Sequence, residues 1–179
     1  MPSVPPPVAP YVNPGAVCRP YDPRAPEAAA RLIQAILEKD PSLIVEHVGS
    51  SAIPQCDGKG NLDLLVMYEP GGLERAKAAL AGLGFQKQTG RDPFPEVRPM
   101  RVGGWDFEGK RYPVHAHVVF RGSPEAAEMI RFRDLLRADP ELRAAYVARK
   151  REIIRDGVAD SIEYSVVKGG FVRDAVNGI

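Results

Sequence analysis

The sequence predicts an α+β fold in which helices flank a mixed β-sheet. Three observations lead to this prediction: an amphipathic helix pattern near the start, a strand-rich middle, and a C-terminal portion that contains only helical patterns. The chain has 179 residues and a formal net charge of +1. It is therefore long enough to bury a hydrophobic core in one domain, and its charge gives no strong sign of nucleic-acid binding.

Proline is concentrated at the N-terminus, where half of the 18 prolines precede Glu27. This density forbids helix and favours extended chain. We interpret residues 1–20 as a proline-rich N-terminal arm that lies on the domain or is partly disordered, and residues 21–179 as the domain itself. We expect the arm to contribute nothing to catalysis.

The order of elements follows from the spacing of apolar residues and from the turn residues between them. Short apolar runs predict strands at 43–48, 62–68 and 112–120. Between the last two, residues 85–111 are rich in Gly, Pro and Arg and predict a hairpin with loops. Helical stripes, most of them opened by a cap or a proline, predict helices that start near Pro26, Leu73, Ser123, Asp139 and Ser161.

The sequence indicates a cytoplasmic protein with no membrane segment. Its two cysteines are too few for a disulfide framework, and no apolar run approaches the roughly 20 residues of a membrane span. The N-terminus lacks the basic and apolar regions of a signal peptide. Motifs of thiol redox proteins, α/β-hydrolases and zincins do not occur. The pattern does not indicate an oligomeric state.

Asp63 is the most unusual residue of the predicted strands, because it places a carboxylate in an otherwise apolar run. Asn61 lies on the same face of that strand, since side chains alternate, and His115 and His117 share a face of the third strand. If the two strands are neighbours, Asp63, His115 and His117 could bind one metal ion, with Asp63 and His117 as catalytic residues. The alternative is a half-exposed face on which a histidine only hydrogen-bonds Asp63.

The turn Gly49-Ser50-Ser51 follows the first strand and could present backbone N–H groups and hydroxyls to a phosphate. Lys59 adds a cation nearby, and His47 precedes the turn. Gly-Ser turns are also common in ordinary loops. The arginines of the C-terminal helices, Arg133 among them, alternate with acidic residues, which is typical of a solvated helix face unless one of them overhangs the sheet.

The stretch EHVGSSAIPQCDGKGNLDLLV resembles the signature of the GrpB family, which typically has Glu-His-Val-Gly-Ser-Thr-x-Val-Pro-Gly and then Lys-Pro-x-x-Asp. The stretches YDPRAP, VHAHVV and FRDLLRADPELRAAYVARK agree as well, and EYSVVKGGFV matches a Tyr-x-x-x-Lys-x-x-Phe segment through Tyr164, Lys168 and Phe171. That family is similar to polymerase-beta-like nucleotidyltransferases. The resemblance implies a nucleotidyltransferase-like sheet, Gly49 and Ser50 near a triphosphate, and Asp63 as a metal-binding carboxylate.

The chain also departs from these patterns. Asn61 stands where the superfamily has its first strand carboxylate, Gln55 replaces a glycine of the family, and Gly60 replaces a proline. The resemblance implies a protein that binds a nucleotide or phosphorylated small molecule, and possible nucleotidyl transfer with a divalent metal (Mg, Mn or Zn). The alternatives are a non-catalytic nucleotide-binding accessory module and a metal-dependent hydrolase with an Asp/His site.

Overall fold

The computed structural model describes residues 5–90, 92–158 and 161–178, with the backbone alone for 161–168. The fold consists of a mixed sheet with helices on both faces, so the predicted α+β class is confirmed. The strands are β1 (Val8–Ala9), β2 (Ile44–Val48), β3 (Leu62–Tyr68), β4 (Gln86–Lys87), β5 (Met100–Phe107) and β6 (Lys110–Phe120). The helices are α1 (Ala25–Lys39), α2 (Leu73–Gly82), α3 (Pro124–Ala138), α4 (Pro140–Arg155) and α5 (Ser161–Asn177).

The three strands predicted from the sequence lie side by side in one sheet. The strand order is β1-β5-β6-β3-β2, with β4 paired to β5. Strands β3 and β6 run parallel, and their register places Asp63 beside His115 and Leu65 beside His117. The region 85–111, predicted as a hairpin with loops, contains the antiparallel pair β4 and β5. Strand β5 also forms a hairpin with β6, the third predicted strand, through a turn at Glu108 and Gly109, both with positive φ.

Three of the helix starts have a local cause. Proline occupies the first turn of α1, α3 and α4, where its missing N–H has no cost. The Ser123 hydroxyl accepts a hydrogen bond from the N–H of Ala126 at the start of α3. The Asp139 carboxylate accepts from the N–H groups of Glu141 and Leu142 at the start of α4. None of the helices in the described ranges has the length and apolar character required to cross a bilayer.

The two faces of the sheet differ. One face is mostly apolar and packs against α1 and α2, through residues that include Leu62, Leu64 and Val66 of β3. The opposite face packs its apolar part, Leu65 and Met67, against α3. Asp63, at the start of β3, lies on this second face because side chains alternate along a strand. The face therefore changes from apolar to polar at the end of the sheet nearest the Gly-Ser turn.

The C-terminal helices pack over the segment that follows β2. Ile53 and Cys56 of that segment share a buried cluster with Phe132 and Leu136 of α3 and Tyr146 of α4. This cluster fixes α3 and α4 above the Gly-Ser turn, so that polar side chains of both helices reach its backbone and hydroxyls.

Part of the proline-rich arm is an element of the sheet. Val8 and Ala9 pair antiparallel with Trp105 and Gly104 of β5, and the Val8 side chain is buried. Further along the arm, Arg19 forms an isolated bridge with Gly58. These contacts place the arm along the β5 edge and beside the loop that precedes β3.

Candidate functional site

The Gly-Ser turn lies directly against the carboxylate of Asp63. Asp63 pairs with Val48, the last residue of β2, so the next residue, Gly49, reaches the Asp63 side chain. Gly49 has φ 70°, a left-handed conformation that favours glycine. A Cβ at this position would lie 2.3 Å from Oδ2 of Asp63. Glycine is therefore required both by the backbone conformation and by the neighbouring carboxylate.

Both serine hydroxyls of the turn have partners. Residues Ser50–Ala52 form one turn of 3-10 helix, and Oγ of Ser50 accepts a hydrogen bond from Nζ of Lys150 at 2.9 Å. Oγ of Ser51 is 2.9 Å from Nε2 of His47. The carbonyl of Ala52 accepts from Nε and Nη2 of Arg137 at 3.0 and 2.8 Å. The turn is thus held from three sides by α4, β2 and α3.

Lys150 is an almost fully buried lysine, with 1% of its surface exposed. Its ammonium group donates to Ser50 and to the carbonyl of Asp57, lies 3.5 Å from Sγ of Cys56, and sits 4.3 Å from the centre of the Tyr146 ring. All of these partners are neutral. Within the described ranges, no carboxylate forms an ion pair with it. A buried cation of this kind is costly unless something else balances its charge.

Sequence reasoning missed Lys150, although a signal was present. The buried face of α4 consists of Tyr146, Val147, Lys150 and Ile153, at helical spacing. Lys150 occupies an apolar position of an amphipathic helix, just as Asp63 occupies a position in an apolar strand. A charged residue in either place is unusual and could have been recognised from the sequence.

His115 is held between Asp63 and a tyrosine of the N-terminal arm. Nδ1 of His115 lies 3.3 Å from Oδ1 of Asp63, and Nε2 lies 2.9 Å from Oη of Tyr11. Burial, and then the charge of Asp63, raise the pKa of Tyr11 to about 12, so its hydroxyl stays protonated at neutral pH. The predicted proximity of Asp63 and His115 is thus observed, and Tyr11 is a neighbour that the sequence did not indicate.

Asn61 lies beside His115 as the strand alternation predicts. Its Nδ2 atom is 3.4 Å from both ring nitrogens of His115, a long contact. Asn61 is 6% exposed, and its Oδ1 is buried without a hydrogen-bond partner among the described residues. The amide therefore offers one unsatisfied acceptor next to the Asp63–His115 pair.

His117 shares the face of Asp63 and His115 but contacts a different neighbour. Its ring meets the Phe94 ring edge-on, with centroids 5.9 Å apart. Over the part of the chain that the structure describes, no three His, Cys, Asp or Glu side chains form a group that could hold a metal ion. Asp63 and His115 alone supply fewer than the three protein ligands of a typical catalytic zinc site. The three-residue metal site stays a prediction.

His47 lies on the other face of the sheet from Asp63, because it pairs with Leu64. Burial is the main cause that lowers the pKa of His47, to about 4; the charge of Asp63 opposes this effect, whereas Arg137 and Arg133 add to it. The imidazole is therefore neutral at physiological pH and holds Ser51.

Arg133 is the arginine that overhangs the sheet. It is buried, and its Nη1 donates to the Glu46 carboxylate at 2.7 Å and to the His47 carbonyl at 3.0 Å. Its Nε donates to Asp134 at 2.8 Å. Arg133 thus anchors α3 to β2 and does not project into open space at the turn.

The remaining site candidates predicted from the sequence are Lys59, Tyr164 and Lys168. Lys59 is half-buried in the loop between the Gly-Ser turn and β3. Positions 164 and 168 belong to α5, and the side chains of Tyr164 and Lys168 lie outside the described residues.

An open cleft of about 480 Å³ borders the turn. Its lining includes Ser50 and Ser51, the basic residues Arg19, Lys110 and Arg111, and Asp22, which pairs with Lys110. Its serine hydroxyls and the guanidinium of Arg19 are suited to an anionic ligand.

The mixed sheet, with a Gly-Ser turn against a strand aspartate and helices packed above the turn, is a nucleotidyltransferase-like fold. The model of the GrpB family, described as GrpB protein, matches residues 16–177, and the chain belongs to this family. The resemblance predicted from the sequence motifs is thereby confirmed. The family match begins after β1 and Tyr11.

Relatives and solved structures agree with this assignment. A UPF0157 protein from Halalkalibacterium halodurans is 30% identical over 158 residues, which cover 86% of this chain and 77% of the relative. The crystal structure of the conserved protein GrpB from Enterococcus faecalis has a TM-score of 0.67 and 21% identity, and the match covers 90% of this chain and 98% of that one. The GLD-2/RNP-8 complex matches with a TM-score of 0.57 and 14% identity, over 88% and 59% of the respective chains. At these identities the two structures show a shared fold.

Proposed function

We propose that this protein binds a nucleotide or another phosphorylated metabolite through the turn at Gly49, Ser50 and Ser51. The observation that supports the proposal best is the contact between Lys150 and Ser50. It places a buried positive charge behind the turn, with neutral groups as its hydrogen-bond partners, and a phosphate bound at the turn would balance that charge.

The hydrogen-bond pattern favours Ser50 as a donor to the ligand. An ammonium group can only donate, so the Lys150–Ser50 bond uses a lone pair of the serine oxygen. The hydroxyl hydrogen of Ser50 stays available for an acceptor such as a phosphate oxygen. Ser51 differs, because its oxygen is engaged with His47. We therefore assign the principal phosphate contact to Ser50, with Lys59 as a second source of positive charge.

A close packing contact keeps Ser50 in this position. A Cβ on Gly58 would lie 2.8 Å from Cβ of Ser50 and 3.6 Å from Nζ of Lys150. The absence of a side chain at position 58 lets the loop before β3 pass directly over Ser50 and Lys150. Arg19, which also lines the cleft, adds positive charge near this point.

The carboxylate of Asp63 beside the turn would repel a phosphate unless a cation lies between them. Magnesium in nucleotide sites is commonly held by one or two carboxylates together with the phosphates of the ligand. Asp63 is placed for that role, and the neighbouring imidazole of His115 would suit manganese or zinc. A divalent ion would neutralise the negative charges of Asp63 and the phosphate. The proposal thus retains the divalent metal as part of the bound complex.

The test is isothermal titration calorimetry of the protein with nucleoside triphosphates, with and without Mg²⁺, Mn²⁺ or Zn²⁺. The same titrations are then made with the Ser50→Ala variant. We expect binding of at least one nucleotide, and about a tenfold loss of affinity in the variant, as for one hydrogen bond to a charged group. Ser42→Ala is the matched control, since the Ser42 hydroxyl binds Asp40. Equal affinity of both variants and the wild type would refute this anion site.

A second candidate function is nucleotidyl transfer, which the position of Asp63 beside the turn favours. The neutral Asn61 in place of a second carboxylate is unfavourable for holding two metal ions. Product analysis of the same mixtures, with a candidate acceptor added, distinguishes the possibilities: pyrophosphate with an equal amount of nucleotidylated acceptor indicates transfer, whereas free nucleoside monophosphate or orthophosphate indicates hydrolysis. Binding without any of these products favours a non-catalytic nucleotide-binding module.

A further inference from the structure

The N-terminal strand β1 lies before the family match and yet is closely fitted to the domain. Val8 is 1% exposed and its N–H donates to the carbonyl of Leu83 at 2.9 Å. Ala9 pairs with Gly104 of β5. The strand therefore extends the sheet through backbone pairing and one buried side chain.

Three glycines of the domain make room for this strand. A Cβ on Gly103 would lie 2.3 Å from Cγ1 of Val8, and a Cβ on Gly104 would lie 3.1 Å from the carbonyl oxygen of Pro10. At Gly84 the distance to the Val8 carbonyl oxygen would be 2.5 Å. Gly84 also has positive φ, whereas Gly103 and Gly104 do not. Close approach of the arm thus explains two glycines inside a strand, where glycine is otherwise unfavourable.

Docking of β1 delivers the side chain of Tyr11 to His115. The N–H of Tyr11 donates to Oε1 of Gln86 at 3.2 Å, and its ring lies 5.4 Å from the His115 ring between centroids. Its hydroxyl lies 2.9 Å from Nε2 of His115. On the other side of the ring, Nδ1 faces the Asp63 carboxylate at 3.3 Å.

These two contacts select one form of the imidazole. An ionised carboxylate only accepts hydrogen bonds, so the nitrogen that faces Asp63 carries the proton. The other nitrogen of a neutral imidazole is then an acceptor, and the Tyr11 hydroxyl donates to it. When the arm is docked, the Tyr11 hydroxyl occupies Nε2 and covers the edge of the ring that does not face Asp63.

We propose that the N-terminal strand is part of the site, in which Tyr11 is a positioning residue that hydrogen-bonds and covers Nε2 of His115 in the Nδ1–H tautomer that Asp63 selects. The proposal goes beyond nucleotide binding and does not depend on it. It differs from the expectation, based on proline content, that residues 1–20 take no part in the site. A ligand or metal ion that needs Nε2 of His115 has to displace the Tyr11 hydroxyl.

The test is the imidazole ¹H–¹⁵N correlation spectrum of the full-length protein at neutral pH, in which the three histidines are assigned by His→Gln variants. In the wild type we expect His115 as a single Nδ1–H tautomer. Tyr11→Phe should shift the Nε2 signal of His115, because that nitrogen loses its hydrogen-bond donor, and leave the signals of His47 and His117 unchanged. Tyr112→Phe is the matched control, because the Tyr112 hydroxyl binds Asp22.

Gly103→Ala provides the second variant, since an added Cβ would expel Val8 and with it Tyr11. We expect its His115 signals to resemble those of Tyr11→Phe, in a domain whose circular dichroism is retained. An unchanged His115 spectrum in Tyr11→Phe or in Gly103→Ala would overturn the proposal. A change of equal size in Tyr112→Phe would overturn it as well.

Discussion

The space that a side chain would occupy at Gly49 is filled by the carboxylate of Asp63, whose Oδ2 lies 2.3 Å from the position of a Gly49 Cβ. The Gly-Ser turn and the strand aspartate therefore form one unit. Any residue other than glycine at position 49 would push the turn and the carboxylate apart, and the proposed phosphate site requires them to be close.

Gly49→Ala should lower the free energy of unfolding more than the backbone conformation alone explains. Gly71→Ala is the matched control, because Gly71 has φ 81° with open space around it. We expect Gly71→Ala to lower the free energy of unfolding by about 1–2 kcal/mol because of its positive φ. Gly49→Ala should lower it by on the order of 2 kcal/mol more because of the clash. Urea denaturation of the two variants measures the difference. Equal losses would show that Asp63 does not constrain position 49.

Lys150→Met should weaken phosphate binding while the protein stays folded. Methionine fills a similar buried volume, so we expect stability to change by less than about 1.5 kcal/mol. Loss of the charge behind Ser50 should reduce affinity for the bound nucleotide about tenfold or more. Arg151→Met removes the same charge from an exposed neighbour that pairs with Asp57.

Titration calorimetry of both variants tests this role of Lys150. If Arg151→Met weakens binding as much as Lys150→Met, the effect is one of net charge and not of the contact with Ser50.

Asp63→Asn should remove the dependence of nucleotide binding on divalent metal. In the wild type, we expect Mg²⁺ or Mn²⁺ to tighten binding because the ion separates the phosphate from the Asp63 carboxylate. The neutral amide of the variant is a poorer ligand and repels the phosphate less. The nucleotide affinities of the variant, measured with the ion and with a chelator, should therefore be similar.

Asp106→Asn serves as the control for this prediction, since Asp106 pairs with Arg111 at the surface. A variant at position 63 that keeps the full metal effect would place the ion elsewhere.

His47 should make the protein less stable in mild acid. The pKa of His47 is lowered from 6.5 to about 4 in the folded protein, chiefly by burial. As pH falls below about 6.5 the unfolded chain takes up the proton first, so the free energy of unfolding decreases until about pH 4. In total, the free energy of unfolding decreases by up to about 3 kcal/mol, at 1.36 kcal/mol per pKa unit.

The measurement is the difference in unfolding free energy between wild type and His47→Gln at pH 7.5 and pH 4.5. The subtraction removes the contribution of the carboxylates and of the other two histidines. A difference that does not change with pH would contradict the burial of a neutral imidazole at this position.

Local sequence patterns determined the α+β class, the strands β2, β3 and β6, and the helix starts. Alternation along a strand and capping by proline, serine or aspartate act over a few residues, so they can be recognised without the fold. The same alternation predicted that His115 and His117 share a face, and Asp63 was conspicuous because it interrupts an apolar run.

Only the tertiary structure decided which of these residues meet and which partners they have. The parallel pairing of β3 and β6 puts Asp63 beside His115 and leaves His117 against Phe94. Tyr11 and His115 are 104 positions apart in the chain, and Lys150 and Ser50 are 100 positions apart. Such contacts depend on strand order and on how helices cross the sheet. Local propensity contains no information about either, because both are set by burial summed over the whole chain.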